Sequence, residues 1–217
     1  MGISGNGFEY TGEASWYWDG AADENLDSFA ENVLALLAEI HPLDRVARAG
    51  YVLRGVAEPE SVAAHSHFVT LLALLYTENY PADFDRGKTL AMAAIHDLPE
   101  AQLMDIPMPA GDAHLSGAKD EAENAIMRAL FRRFRFGDCY TALHKELLEA
   151  STAEARLVRG LDKAQMMAKV WMYEREGRGR LEEFWTNPRN FDAFGIASVD
   201  ALFDAICGAA GRERPRP

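Results

Sequence analysis

His96-Asp97 sets an imidazole beside a carboxylate at the end of an otherwise apolar stretch (Leu90, Ala91, Met92, Ala93, Ala94, Ile95). Burying an ionisable pair costs free energy unless it is compensated, so the placement needs a reason. The plain one is that each group satisfies backbone atoms at a helix end near Pro99. Three further residues favour another. His65 interrupts a second apolar segment, where a leucine would be expected. Asp162 has Val158, Leu161 and Met166 as neighbours at helical spacing. Glu100 comes one turn after His96. At about 100° per residue, His96, Asp97 and Glu100 share roughly 100° of arc if the helix persists through Pro99. Together these residues are the right inventory for a metal site.

The order His65, His96-Asp97, Asp162 resembles the H…HD…D signature of the HD-domain metal-dependent phosphohydrolases. Around it follow, in sequence, Arg48-Ala49-Gly50-Tyr51-Val52-Leu53-Arg54, Glu60-Ser61-Val62-Ala63-Ala64-His65-Ser66, His96-Asp97-Leu98-Pro99-Glu100 and Asp105-Ile106-Pro107-Met108-Pro109. That series is similar to the branch containing the bacterial 5′-deoxynucleotidases and their eukaryotic homologues, over residues 30 to 175 or so. A lone HD dipeptide is weak; the ordered set is specific. The resemblance implies an all-α HD-domain helical bundle that hydrolyses nucleoside, and by this branch deoxyribonucleoside, 5′-monophosphates with a metal-activated water. It makes His65, His96, Asp97 and Asp162 the ligands of one divalent transition metal per chain. Such a mixed nitrogen and oxygen set suits Mn, Co, Fe or Ni, with zinc as a further option. The metal acidifies water and polarises the phosphoryl group. Glu100 and Asp105 would handle protons on the attacking water or the leaving 5′-oxygen. Arg48 would hold the phosphate, because guanidinium forks match phosphate oxygens.

Two positions depart from the branch pattern. Ala49 stands where the deoxynucleotidase type has a tryptophan tied to choosing deoxyribose, and Ala64 where an acidic residue often precedes the first histidine. Tyr51 is a candidate replacement for the aromatic wall. Dinuclear HD enzymes recruit two extra histidines between the HD pair and the last aspartate. Here His114 and His144 occupy that interval, and both read as surface residues, His114 in a loop and His144 beside Lys145 and Glu146. His67, about 200° around a helix from His65, does not share its metal. Arg128, Arg132, Arg133 and Arg135 read as a solvated basic stripe. The rival readings are a dinuclear HD phosphodiesterase or oxygenase, and a non-catalytic nucleotide-binding protein.

The elements that must position these groups follow from composition and period. The chain has 217 residues, 48% hydrophobic, with 22 basic and 34 acidic residues and a net charge of −12. That argues for one large core, and against binding nucleic-acid polymers or acidic membranes. Two cysteines, Cys139 and Cys207, make no disulfide framework, and no basic start leads into an apolar leader. A cytoplasmic location is the expectation. Residues 1–25 carry five glycines and no helical period, so they read as an irregular arm, with Trp16, Tyr17 and Trp18 able to dock. Residues 26–210 read as the bundle and 211–217 as a disordered tail. Helices are expected over 27–40 (N-cap Asp27 or Ser28, stop at Pro42), 61–80, 85–98, 117–136, 140–150, 153–175 and 199–207. The 61–80 helix is apolar around most of its circumference, which predicts a place in the middle of the bundle. Ile106 to Gly111 must be a loop. Apolar residues of 27–40, the arm and the last helix favour a homodimer.

Overall fold

A computed structural model describes residues 26–107, 114, 115 and 117–215, with side chains from residue 28. The expected arm, residues 1–25, lies outside the described residues, as do 108–111 of the expected loop 106–111. The helices are α1 (Leu26–Ile40), α2 (Ala49–Val52), α3 (Val62–Asn79), α4 (Arg86–Ile95), α5 (Glu100–Leu103), α6 (Ala118–Phe131), α7 (Gly137–Glu149), α8 (Ala153–Arg175), α9 (Glu182–Thr186) and α10 (Ala197–Ala210). The fold is all-α. Among the described residues the one β element is an isolated antiparallel bridge between Ala47 and Ser61. Among the described residues no helix is long and apolar enough to cross a membrane.

The middle of the bundle is α8. Thr152 caps it by accepting the Ala155 N–H, and α8 lies against α3, α4, α7 and α10. Its buried residues run around the helix (Leu157, Val158, Leu161, Ala164, Met167, Val170). The expectation that 61–80 would take this place is corrected. Helix α3 buries one stripe, Val62, His65, Val69, Ala73 and Thr77, while Phe68, Leu71 and Leu75 are 45%, 42% and 56% exposed. All-round apolarity does not say which face the neighbours cover. Gly160 lets α8 approach α10: a Cβ there would lie 3.1 Å from Val199 Cγ1 and 3.4 Å from the Ala193 carbonyl. Leucine's better helix propensity cannot offset that overlap, so Gly160→Leu should cost about 2 kcal/mol. A melting temperature several degrees lower is the expected readout, and an unchanged melt would contradict this packing.

Helix boundaries differ from expectation both at the site and away from it. The chain is already helical at Leu26, the first described residue, so Asp27 and Ser28 lie within α1 and do not cap it. Helix α4 stops at Ile95, and His96 to Pro99 form a turn closed by Leu98 N–H to Ile95 O (3.1 Å) and Glu100 N–H to Asp97 O (3.1 Å). Pro99 has no N–H to continue the ladder. Within the basic stripe, Arg133 is not free: its Nη1 lies 2.6 Å from Glu39 Oε1, tying the end of α6 to α1. Residues 211–215, read as loose tail, are held by Arg212 (Nη2 to Glu174 Oε1, 3.2 Å) and Arg214 (Nη2 to Asp200 Oδ1, 2.6 Å).

Candidate metal centre

Ser61 caps α3 by accepting the Ala64 N–H (3.2 Å), which sets His65 in the first turn with its ring turned inward. The bridge to Ala47 adds Val62 N–H to Val46 O (2.8 Å) and Arg48 N–H to Glu60 O (3.2 Å). Those bonds bring Arg48, at the entry of α2, alongside the start of α3. Asp105 is fastened to the same corner, because Ala49 N–H donates to its Oδ2 at 2.5 Å. The turn after α4 supplies His96 and Asp97, and α8 supplies Asp162.

These segments converge. His65 Nε2 lies 3.0 Å from Asp162 Oδ1, 3.6 Å from Asp97 Oδ2 and 3.4 Å from His96 Nε2. His96 Nε2 is 3.2 Å from Asp97 Oδ2. Among the described residues, His65, His96 and Asp162 form a group whose ligand atoms all lie within 4.8 Å of one another. Asp97 turns into the same space, and its Oδ2 is buried without a hydrogen-bond partner. A buried carboxylate oxygen without a donor is costly on its own, and a cation in front of it removes the cost. The donor set therefore fits a metal ion. His96 gives its Nδ1–H to the Ala93 carbonyl at 2.8 Å, which leaves Nε2 as its ligand atom.

Electrostatics follow from crowding four carboxyls around one guanidinium. Arg48 Nη1 stands 3.5 Å from Asp97 Oδ2 and 3.7 Å from Asp105 Oδ1, and its Nη2 is 3.8 Å from Asp162 Oδ1. Burial opposes the charge on Arg48, but Asp105, Asp97 and Asp162 outweigh it and hold the proton more tightly than usual. Burial alone would raise Asp97; His96, Arg48 and His65 override it and hold the carboxyl well below its usual range. Asp162 is held down in the same way by His65 and Arg48. Burial works against a charged His96, yet Asp97 and Asp162 lift it to about 9. A metal must displace that proton, so affinity should fall with decreasing pH. Glu100 is pushed up to about 10 by burial and by Asp97, so it carries a proton at neutral pH.

Beside the cluster opens a cavity of about 680 Å³ bordered by Arg48, Glu100, Asp105 and Asp162, and also by Lys119, Arg159 and Lys163. The cations matter in a chain this acidic, because they supply the local positive field an anion needs. Lys119 pairs with Glu123 (3.1 Å) and was not singled out from the sequence, where nothing distinguishes one lysine at the start of a charged helix. Tyr51 borders the cavity but is buried, its hydroxyl donated to the Met166 carbonyl (3.0 Å) and its ring stacked on Phe184 (5.5 Å between centroids). Phe184, from the distant α9, lines the same cavity.

His114 is exposed, as expected, but helical rather than in a loop. His144 is not: its surface reading is corrected, because the side chain is fully buried and neither ring nitrogen has a hydrogen-bond partner. Tyr140, Leu143 and Leu147 lie four and one before and three after it, so the helical period does place it on the buried face of α7. The charged Lys145 and Glu146 point elsewhere. Burial, then the neighbouring His96, lowers His144 from 6.5 to about 4. A depressed value means that the unfolded chain binds the proton first. The folded state keeps this contribution above pH 6.5 and loses it as pH falls toward 4, by at most about 3 kcal/mol. His144→Leu should therefore gain stability relative to the wild type between pH 6.5 and 4, measured by melts across that range. Parallel pH profiles would contradict it.

The chain is similar to several known proteins. The 5′-deoxynucleotidase HDDC2 of Xenopus laevis is 32% identical over 172 residues, 77% of this chain and 83% of that protein. Its Bos taurus counterpart is 30% identical over 165 residues, 72% of this chain and 76% of that protein. A solved structure of a conserved hypothetical protein from Pyrococcus furiosus superposes with a TM-score of 0.67 at 31% identity, covering 81% of this chain and 98% of that one. The HD-domain family model matches residues 40–191, which contain every residue of the cluster. The chain is a member of the HD-domain family.

Proposed function

We propose that this protein is a metal-dependent phosphomonoesterase that hydrolyses nucleoside 5′-monophosphates, deoxyribonucleotides among them, to nucleoside and phosphate. The observation that carries the reading is the buried, unpartnered Asp97 Oδ2 facing His65, His96 and Asp162 at the edge of a cavity that also holds Arg48. The names of the relatives, 5′-deoxynucleotidases at about 30% identity, support the substrate class.

His65, His96, Asp97 and Asp162 would hold one ion per chain; Mn, Co, Fe or Ni suits the donors, with zinc a further option. When bound, the ion acidifies water and neutralises phosphoryl charge. Arg48 binds the phosphate through its fork, and the three carboxylates around it fix the fork's direction. Asp105, fastened by the Ala49 N–H, orients the attacking water and takes its proton. Glu100, protonated at neutral pH, gives its proton to the leaving 5′-oxygen.

Exposed Leu34 and Leu37 on α1 support a homodimer, and the two free cysteines support a cytoplasmic setting. The reading is tested with a panel of nucleotides under added Mn²⁺ or Co²⁺. Phosphate should be released from deoxyribo- and ribonucleoside 5′-monophosphates but not from 3′-monophosphates or phosphodiesters. Diester cleavage without monoester cleavage would overturn the proposal.

A further inference from the structure

His65 is fully buried, and the ring nitrogen that turns away from the cluster, Nδ1, lies 2.6 Å from Oε1 of Gln165. The other end of that amide meets a carboxylate: Gln165 Nε2 is 3.1 Å from one oxygen of Glu60 and 3.4 Å from the other. A carboxylate accepts and does not donate, so the NH₂ of Gln165 must face Glu60 and its oxygen must face His65. An amide oxygen in turn only accepts. The hydrogen of the neutral imidazole therefore sits on Nδ1, and Nε2 is left bare toward Asp162, Asp97 and His96. Glu60 Oε1 is itself 4.0 Å from His65 Nδ1, too far for a hydrogen bond, so the amide is what joins them.

The far end of this chain of bonds is also anchored. Lys169 Nζ stands 3.7 Å from Glu60 Oε2, the Glu60 N–H donates to the Tyr173 hydroxyl (2.8 Å), and the Glu60 carbonyl accepts from Arg48 N–H. Gln165, Lys169 and Tyr173 follow Asp162 along α8 at steps of three, four and four residues, on one face of one helix. That helix thus presents Asp162 directly and holds His65 indirectly.

We propose that Gln165 is the positioning residue of the metal centre, fixing the tautomer and ring orientation of His65 through the buried relay to Glu60 and Lys169. The proposal rests on the metal-centre reading above. It follows the general behaviour of ligand histidines, whose second nitrogen is held by a partner that orients the ring and raises its basicity.

The test is Mn²⁺ affinity by titration calorimetry on the full chain, with metal-free melts beside it. Gln165→Leu should bind Mn²⁺ about 10- to 100-fold more weakly. Gln165→Glu should weaken it too, because two carboxylates then meet. The exchange Glu60→Gln with Gln165→Glu restores an amide facing an acid and an acceptor facing Nδ1, and should return affinity to within about threefold of wild type. A merely structural role predicts lower melting temperatures with unchanged Mn²⁺ affinity, and that result overturns the proposal. Should Gln165→Leu fail to fold, the single Gln165→Glu variant against the exchanged pair decides: rescue supports the relay, equal affinities overturn it. A wild-type protein that takes up no Mn²⁺ removes the metal-centre reading and the relay together, whereas equal affinity of wild type and Gln165→Leu removes the relay alone.

Discussion

Replacing Asp97 with alanine should cut phosphate release at least about 1000-fold, with Mn²⁺ or Co²⁺ in excess. Its Oδ2 is 3.2 Å from His96 Nε2, 3.6 Å from His65 Nε2 and 3.5 Å from Arg48 Nη1, without a hydrogen bond from any of them. A carboxylate so placed has its main use when a cation joins the cluster. Losing a ligand from a catalytic metal removes several kcal/mol of transition-state stabilisation, and about 4 kcal/mol is a thousandfold. The loss should survive saturating metal, because the defect lies in how the ion is held as well as in how tightly. Measured as initial rates of phosphate release, turnover within tenfold of wild type would contradict the assignment.

Arg48→Ala carries the second large effect, and it has two parts. The guanidinium is the group that offsets Asp97, Asp105 and Asp162 at 3.5–3.8 Å. Breaking a buried charge network by removing one partner costs about 3–5 kcal/mol of stability, some of which a bound metal returns. The same substitution removes the fork for phosphate. Arg48→Lys separates the two, because it keeps the charge and loses the bidentate geometry. We expect kcat/KM about 100-fold down for the lysine variant, with a melting temperature near wild type, and a larger fall with a lower melt for alanine. Unchanged kcat/KM in Arg48→Lys would take phosphate binding away from this residue.

Much of this arrangement was legible because it breaks local rules. A histidine where a leucine belongs, twice, and an aspartate among valine, leucine and methionine are conflicts that a purely structural sequence would avoid. Helix α8 was readable to the residue, since Thr152 caps its start and a glycine follows its end. What escaped depended on neighbours. The His96-Asp97 pair was expected on a continuing helix, and Pro99 converts that stretch to a turn whose bonds depend on backbone geometry. Helix α3 looks buried from its composition alone, but three of its large apolar residues face outward. Charged neighbours disguised His144, although its own helical register pointed inward. Gln165 had no signal, because a glutamine near an aspartate on a helix is ordinary until Glu60, from another segment, arrives beside it. Phe184 is more than 130 residues from Gly50 in sequence, yet its ring lies where a Cβ on Gly50 would meet it at 3.3 Å.

One diffraction measurement bears most directly on all of this. Crystals soaked in Mn²⁺ and recorded for anomalous signal should show a single strong peak per chain, within about 2.0–2.3 Å of a nitrogen or carboxylate oxygen from each of His65, His96, Asp97 and Asp162. An ion bound elsewhere, or a peak that any of those four side chains turns away from, would contradict the account.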